Sequence, residues 1–204
     1  MANLAGEPIV HRPLDDLKLV ATAMDGDQVD VVLTQLEPKF MMNLRLDKGD
    51  EGAVYAAQTA LSLELPANNQ QSADGQAWWL GPDEWMIIRD DRGAHRELPA
   101  HVTAAMGDAH HSAVDVSHQF EGFGVSGPLA RDLLAHIVTL DLHPRTLKPG
   151  SCAQTVAAHT QIMLGLDADG QSFTIYTRRS FIAYVWQRLV DAAADMNLEI
   201  RPRS

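Results

Sequence analysis

A chain of 204 residues, 46% hydrophobic and 21% charged, has enough apolar material for one sizeable folded body or two small halves sharing a core. Its formal net charge of −11 excludes a surface built to grip nucleic-acid phosphates and leaves room for a basic patch on a partner. A single cysteine, Cys152, excludes an internal disulfide and a thiolate zinc site, and no apolar run reaches the roughly 18 residues that a membrane helix needs.

Residues 1–27 read as an irregular N-terminal arm; the part through Pro13 is polar and proline-punctuated, without the apolar core of a secretory signal, so the cytoplasm is the expected compartment. Residues 29–36 mix branched apolar residues into an expected strand, and residues 40–46 alternate apolar and polar well enough for a second. Gly49-Asp50-Glu51 opens a helix to about Leu61, with acid in the first turn where the helix dipole favours it. A polar loop follows over 68–75. Residues 78–89 read as one strand broken by a turn at Gly81-Pro82-Asp83-Glu84, with Trp85-Met86-Ile87-Ile88 as its apolar core. Residues 98–106 form a short helix, and residues 113–117 and 120–125 a strand pair. Gly127-Pro128 then starts a helix to about Ile137, proline fitting the first turn because it has no amide proton there to leave unpaired. After Lys148-Pro149-Gly150 come strands near 154–159, 161–166 and 173–177, with Asp167 to Gly170 closing the hairpin between the last two. A last helix runs from Ser180 as N-cap to about Met196, with Phe181, Tyr184, Val185, Arg188 and Leu189 along one side.

The order strand, glycine, helix, proline occurs twice, over 43–66 and 123–144, and Gly49 and Gly127 stand at the same offset as Pro66 and Pro144. The expected fold is α+β. Two similar halves, about 28–110 and 111–204, each form a mostly antiparallel sheet with helices on one face and pack into one body.

No constellation of reactive residues stands out. His110 and His111 are adjacent on an expected strand and point to opposite faces, which suits no shared metal ion. Asp115-Val116-Ser117-His118 holds the ingredients of a hydrolytic triad, but neighbours on an extended segment do not converge. The plainer reading is a strand end whose Asp115 and Ser117 bond nearby backbone groups. Ser126-Gly127-Pro128 lacks the glycine spacing and lysine of a phosphate loop. Gly81-Pro82-Asp83-Glu84-Trp85 is a solvated turn ahead of a buried strand. Cys152 has no base beside it in sequence and reads as a small buried residue. Catalytic, cofactor-binding and metal-ligating residues are therefore expected to be absent from this chain. Interface candidates are Trp78 and Trp79, of which only one can enter its own sheet's core cleanly, and Arg178 and Arg179 as rim residues.

Val114-Asp115-Val116-Ser117-His118, followed by Ser126-Gly127-Pro128-Leu129-Ala130-Arg131-Asp132-Leu133-Leu134, is similar to a stretch of the glycine-cleavage aminomethyltransferase (T-protein) superfamily. More closely, the chain resembles the gamma subunits of heterotetrameric sarcosine oxidase. The marks are Leu80-Gly81-Pro82-Asp83-Glu84-Trp85, Asp141-Leu142-His143-Pro144-Arg145, Pro149-Gly150-Ser151-Cys152-Ala153, Arg179-Ser180-Phe181 and Tyr184-Val185-Trp186. The resemblance implies a folate-binding-like fold and a complex that demethylates sarcosine oxidatively to glycine, forms hydrogen peroxide and passes the one-carbon unit to tetrahydrofolate. It implies alpha, beta and delta partner subunits, chiefly alpha, with FAD, FMN and NAD on the larger chains and zinc on delta. T-proteins place an acidic pair after a Gly-Gly turn; residues 159–172 here have no such glycine turn, and Asp167 and Asp169 sit in an expected hairpin tip. The expectation is a non-catalytic structural subunit. The alternatives are a free-standing folate-binding aminomethyltransferase-like protein and a folate-dependent accessory factor of iron–sulfur metabolism, whose reactive cysteine pattern Pro149-Gly150-Ser151-Cys152 does not match.

Overall fold

A run of branched apolar residues forms the first strand, β1 (Val31–Gln35), and apolar residues interrupted by Asn43 and Arg45 form the second, β2 (Phe40–Leu46). The computed structural model describes residues 28–90 and 93–201, so the expected arm over 1–27 lies outside the described residues. Helix α1 (Glu51–Leu61) begins where Asp50 Oδ1 accepts the Ala53 amide at 2.9 Å, and it ends at Ser62, whose left-handed backbone (φ 54°) closes the last carbonyls. Next come β3 (Ala77–Gly81) and β4 (Glu84–Arg89), which are the arms of a hairpin and not one interrupted strand. The turn at Gly81–Glu84 reverses the chain fully and sets Trp78 opposite Met86 and Trp79 opposite Trp85. Helix α2 spans Leu98–Met106.

The expected strand pair after α2 does not form. β5 (His111–Asp115) and β6 (Phe120–Ser126) enter different sheets. The Val116 amide bonds Met41 O and the Gln119 amide bonds Val116 O, so a four-residue turn carries the chain from one sheet to the other. Helix α3 (Ala130–Ala135) is shorter than expected and starts after Pro128. Gly127 sits at φ 107°, and a Cβ there would lie 2.6 Å from Asp30 O, so only glycine lets the lead-in turn press against the start of β1.

The strands β7 (Cys152–Ala157), β8 (Thr160–Leu166) and β9 (Phe173–Arg178) follow as an antiparallel meander. Ser180 does not cap the last helix. It lies in a 3-10 turn over Arg179–Phe181, and α4 (Ile182–Ala192) begins beyond it. The buried stripe is consequently Ile182, Val185, Trp186 and Leu189, while Phe181 and Tyr184 face outward at 46% and 44% exposure. A short strand the sequence did not announce, β10 (Leu198–Arg201), runs parallel to β1.

The strands form two sheets, ordered β3-β4-β2-β5 and β10-β1-β6-β9-β8-β7, antiparallel throughout except at β1–β10. The first sheet and its helices form a split β-α-β unit, with β4 lying between β2 and β3. The second repeats the arrangement: β9 lies between β6 and β8, and β1 holds the place beside β6 that β5 holds beside β2. The repeated glycine and proline spacing belongs to this likeness. The expected halves do not coincide with the sheets, however. β1, from 28–110, joins the six-stranded sheet, and β5, from 111–204, completes the four-stranded one. Each sheet borrows a strand across the boundary because the pairing partners of β1 and β5 lie in the other half of the sequence.

Three apolar clusters define four layers. Leu44, Ala57, Ile87 and Val102 join the four-stranded sheet to α1 and α2, and Phe123, Leu133, Leu164 and Trp186 join the six-stranded sheet to α3 and α4. Met41, Trp78, Met86, Cys152, Met163 and Tyr176 fill the space between the sheets. Both sheets are therefore covered on both faces. Each aromatic side chain packed edge-on, such as Phe123 against Trp186 at 5.8 Å, adds about 1 kcal/mol beyond the area it buries.

Candidate functional site

Where β9 finishes and β4, β6 and β8 begin, the two sheets part and enclose a cleft of about 360 Å³. Its floor is apolar, made by buried Met86, Val116, Ile162 and Met163 beside Phe120. Its rim is polar: Asn43 and Glu84 on the four-stranded sheet, Gln154 and Gln161 on the six-stranded sheet, and Gln119 and Arg178 where the chain crosses between them. Strand alternation produces this division, since Asn43 lies on the opposite face of β2 from Met42 and Leu44, which pack toward α1 and α2.

The polar groups hold one another. Asn43 Nδ2 donates to Glu84 Oε1 at 2.8 Å, and Gln154 Nε2 donates to Leu80 O at 3.0 Å. Arg178 Nη1 donates to Gln119 Oε1 at 3.3 Å, and its guanidinium lies over the Phe120 ring at 5.7 Å. The cleft contains one carboxylate and one cation, with no nucleophile paired to a base. Its lining offers amide and apolar contacts, and among the described residues it holds no proton-transfer pair.

Trp78, expected as an interface candidate, is enclosed by its own chain at 2% exposure. Its ring meets Tyr176 edge-on at 5.4 Å, and its Nε1 donates to Gly75 O at 3.1 Å. The four-layer packing leaves it no outer surface. Trp79 points to the opposite face, as adjacency requires, and is half-buried against the α1 and α2 layer. Arg178 is exposed at the cleft, while Arg179 turns toward Glu121 at 3.5 Å. The two arginines thus serve different places.

Asp115 and Ser117 form a backbone clasp. Asp115 Oδ1 accepts the Ser117 amide at 2.8 Å and the Ser117 hydroxyl at 2.5 Å, while Ser117 Oγ accepts the Met41 amide at 2.9 Å. His118 lies outside this clasp and is exposed. His111 turns its Nδ1 back to Ala109 O at 2.7 Å, and His110 precedes the strand. Glu84 and Asp83 of the hairpin turn hold Asn43 and Arg45 respectively. Burial pushes the Cys152 thiol up to about 12, and its sulfur faces Gln70 O and Trp79 O, the environment of an inert residue. Asp167 does lie at the end of β8, next to the hairpin loop. Burial raises its pKa, with the Asp169 charge adding to the rise and the Thr174 hydroxyl opposing it. Among the described residues, no three His, Cys, Asp or Glu side chains gather to hold a metal, and no helix is long and apolar enough to cross a membrane.

The sarcosine oxidase, gamma subunit family model matches residues 45–195, well over half of the chain. The chain belongs to that family. Among curated gamma subunits of sarcosine oxidase, it is 34% identical to that of Corynebacterium sp. (strain P-1), over 63% of this chain and 62% of that protein, so this match spans just under two-thirds of the relative. The gamma subunit from Corynebacterium sp. (strain U-96) is 27% identical over 87% of this chain and 88% of its own. A chain of the solved heterotetrameric sarcosine oxidase from Corynebacterium sp. U-96, in complex with pyrrole 2-carboxylate, superposes with a TM-score of 0.74 at 26% identity, covering 82% of this chain and 88% of that one. The glycine cleavage system aminomethyltransferase T from Bartonella henselae shares the fold with a TM-score of 0.59 at 13% identity; the match covers 85% of this gamma-family chain and 48% of that chain.

Sequence reasoning named one rim residue, Arg178, but not the cleft. The rim residues come from separate elements and carry no motif spacing. A further local signal is Asn43, a polar residue on the non-helical face of a strand whose neighbours are buried.

Proposed function

We propose that this chain is a non-catalytic subunit of a heterotetrameric sarcosine oxidase, assembling with alpha, beta and delta subunits and chiefly with alpha. The complex would demethylate sarcosine oxidatively to glycine in the cytoplasm, reduce oxygen to hydrogen peroxide and deliver the one-carbon unit to tetrahydrofolate. FAD, FMN, NAD and zinc would reside on the partner chains. The family match supports the assembly. One observation carries the non-catalytic part of the reading: Asp115 and Ser117, the residues most suggestive of chemistry, are spent on holding the Met41 amide.

The test is expression of the chain alone and together with the flavin-bearing chains. Alone, it should emerge without flavin absorbance and form no peroxide from sarcosine. With them, it should co-elute in fixed stoichiometry. A colourless complex-free chain that oxidises sarcosine, or a chain that joins no such complex, overturns the proposal.

A further inference from the structure

Of the four sheet edges, two are bonded by neighbouring chain, a third is guarded by charge, and the fourth has no backbone partner among the described residues. The loop before β3 covers that strand through the Trp79 amide on Gln70 O, and β7 is flanked by Cys152 to Asn69 and Thr139 to Val156 backbone bonds. The short edge strand β10 carries the Glu199–Arg201 ion pair, a charged guard of the kind that discourages strand addition. β5 differs. The Val116 amide bonds Met41 O at 2.8 Å, so the hydrogen-bonded rungs with β2 fall on Val114 and Ser112. The amides and carbonyls of His111, Ala113 and Asp115 point away from β2, and among the described residues nothing bonds them. Val114, on the same strand, lines the cleft and is 49% exposed.

We propose that the free edge of β5 and the adjoining cleft form one docking site for an extended segment of a partner polypeptide. The inference rests on the subunit reading above. A strand laid beside β5 would pair its backbone with His111, Ala113 and Asp115 and direct every second side chain over the same sheet face as Val114. Those side chains would reach the cleft, whose floor of Met86, Val116 and Met163 suits an apolar residue. Arg178 is the one cation lining the cleft, and no carboxylate lies within ion-pair distance of it among the described residues. The segment therefore presents apolar residues at alternate positions and a carboxylate at the Arg178 end.

Amide-resolved hydrogen exchange on the wild-type complex and the free chain tests this directly. The His111, Ala113 and Asp115 amides should exchange near the unstructured rate in the free chain and on the order of a hundredfold more slowly in the complex. Ala113→Pro removes an amide that β2 does not use, and Val114→Glu places charge at the cleft mouth; each should weaken assembly about tenfold or more while the free chain's melting stays near wild type. If the three amides stay fast in a complex that does contain the chain, this inference falls while the subunit reading stands. Amides already slow in the free chain also overturn it, because the edge is then covered by the chain itself. A chain that joins no complex overturns both.

Discussion

The clasp at the end of β5 makes a quantitative prediction. Ser117 is 2% exposed and Met41 1%, so the Met41 amide has no access to water and depends on Ser117 Oγ at 2.9 Å. Ser117→Ala strands that amide, which costs about 1–3 kcal/mol for an unpaired buried donor. The Asp115 carboxylate loses one donor but is exposed and regains water, adding little. A loss of about 2 kcal/mol corresponds to a fall in Tm of roughly 4–8 °C for a chain of this size. Asp115→Asn keeps an acceptor for the Ser117 amide and only converts a charge-assisted bond into a neutral one, so its cost is about 1 kcal/mol. Thermal and urea unfolding of both variants should give this order, with turnover per intact complex unchanged. If Ser117→Ala melts with the wild type, the clasp is not the support argued here. If Asp115→Asn melts normally while turnover falls about a hundredfold, Asp115 is an acid or base and the structural reading is wrong.

Gly165→Ala should destabilise the chain by about 1–3 kcal/mol and alter its near-ultraviolet tryptophan signal, because the new Cβ would sit 2.6 Å from Gln71 Nε2 and 2.7 Å from the Trp78 ring; unchanged melting would mean the sheets can part freely there. Asp167→Asn should stabilise the chain at neutral pH. A folded-state pKa raised by burial means the folded chain holds its proton longer, so ionised Asp167 opposes folding at pH 7, and the gain from Asn should shrink as pH falls toward and below the ordinary 3.8; a pH-independent gain would refute this. Cys152 should resist iodoacetamide in the native chain at pH 8, where a pKa of about 12 leaves roughly one thiol in ten thousand ionised, and should label once urea exposes it; rapid native labelling would contradict its burial.

Local structure was legible where one short segment contains its whole cause. β2 and α2 occupy the expected 40–46 and 98–106, and α1 starts at the acid-capped turn that residues 49–51 announced. Pairing was not legible. Residues 113–117 and 120–125 are near in sequence and similar in pattern, yet β5 and β6 separate because each finds its partner far along the chain, at β2 and at β1 and β9. The same limit hid β10, whose four residues include Glu199 and Arg201 and gain strand character only from the neighbouring β1. The late start of α4 has a local cause that the expected N-cap concealed: the 3-10 turn over Arg179–Phe181 uses up Ser180 and rotates the apolar stripe to Ile182, Val185, Trp186 and Leu189.

Trp78 is enclosed by its own chain for a reason that points to where a partner can bind. Adjacent Trp78 and Trp79 must face opposite sides of β3, and they do. Placing one of them against a partner assumes a sheet with one covered face. In this fold each sheet has helices on one side and the other sheet on its second side, so alternation cannot mark an outer face. An apolar side chain in the middle of either sheet is interior whichever way it points. Apolar surface can then remain only at sheet edges, on the outer sides of helices and where the sheets part. Val114 stands at the parting and on an edge strand with no outer backbone partner among the described residues, and it is 49% exposed where Trp78 is 2% exposed. Val114, which the sequence reading did not single out as an interface residue, is therefore better placed to meet a partner than Trp78, and it shares the cleft with the expected rim residue Arg178.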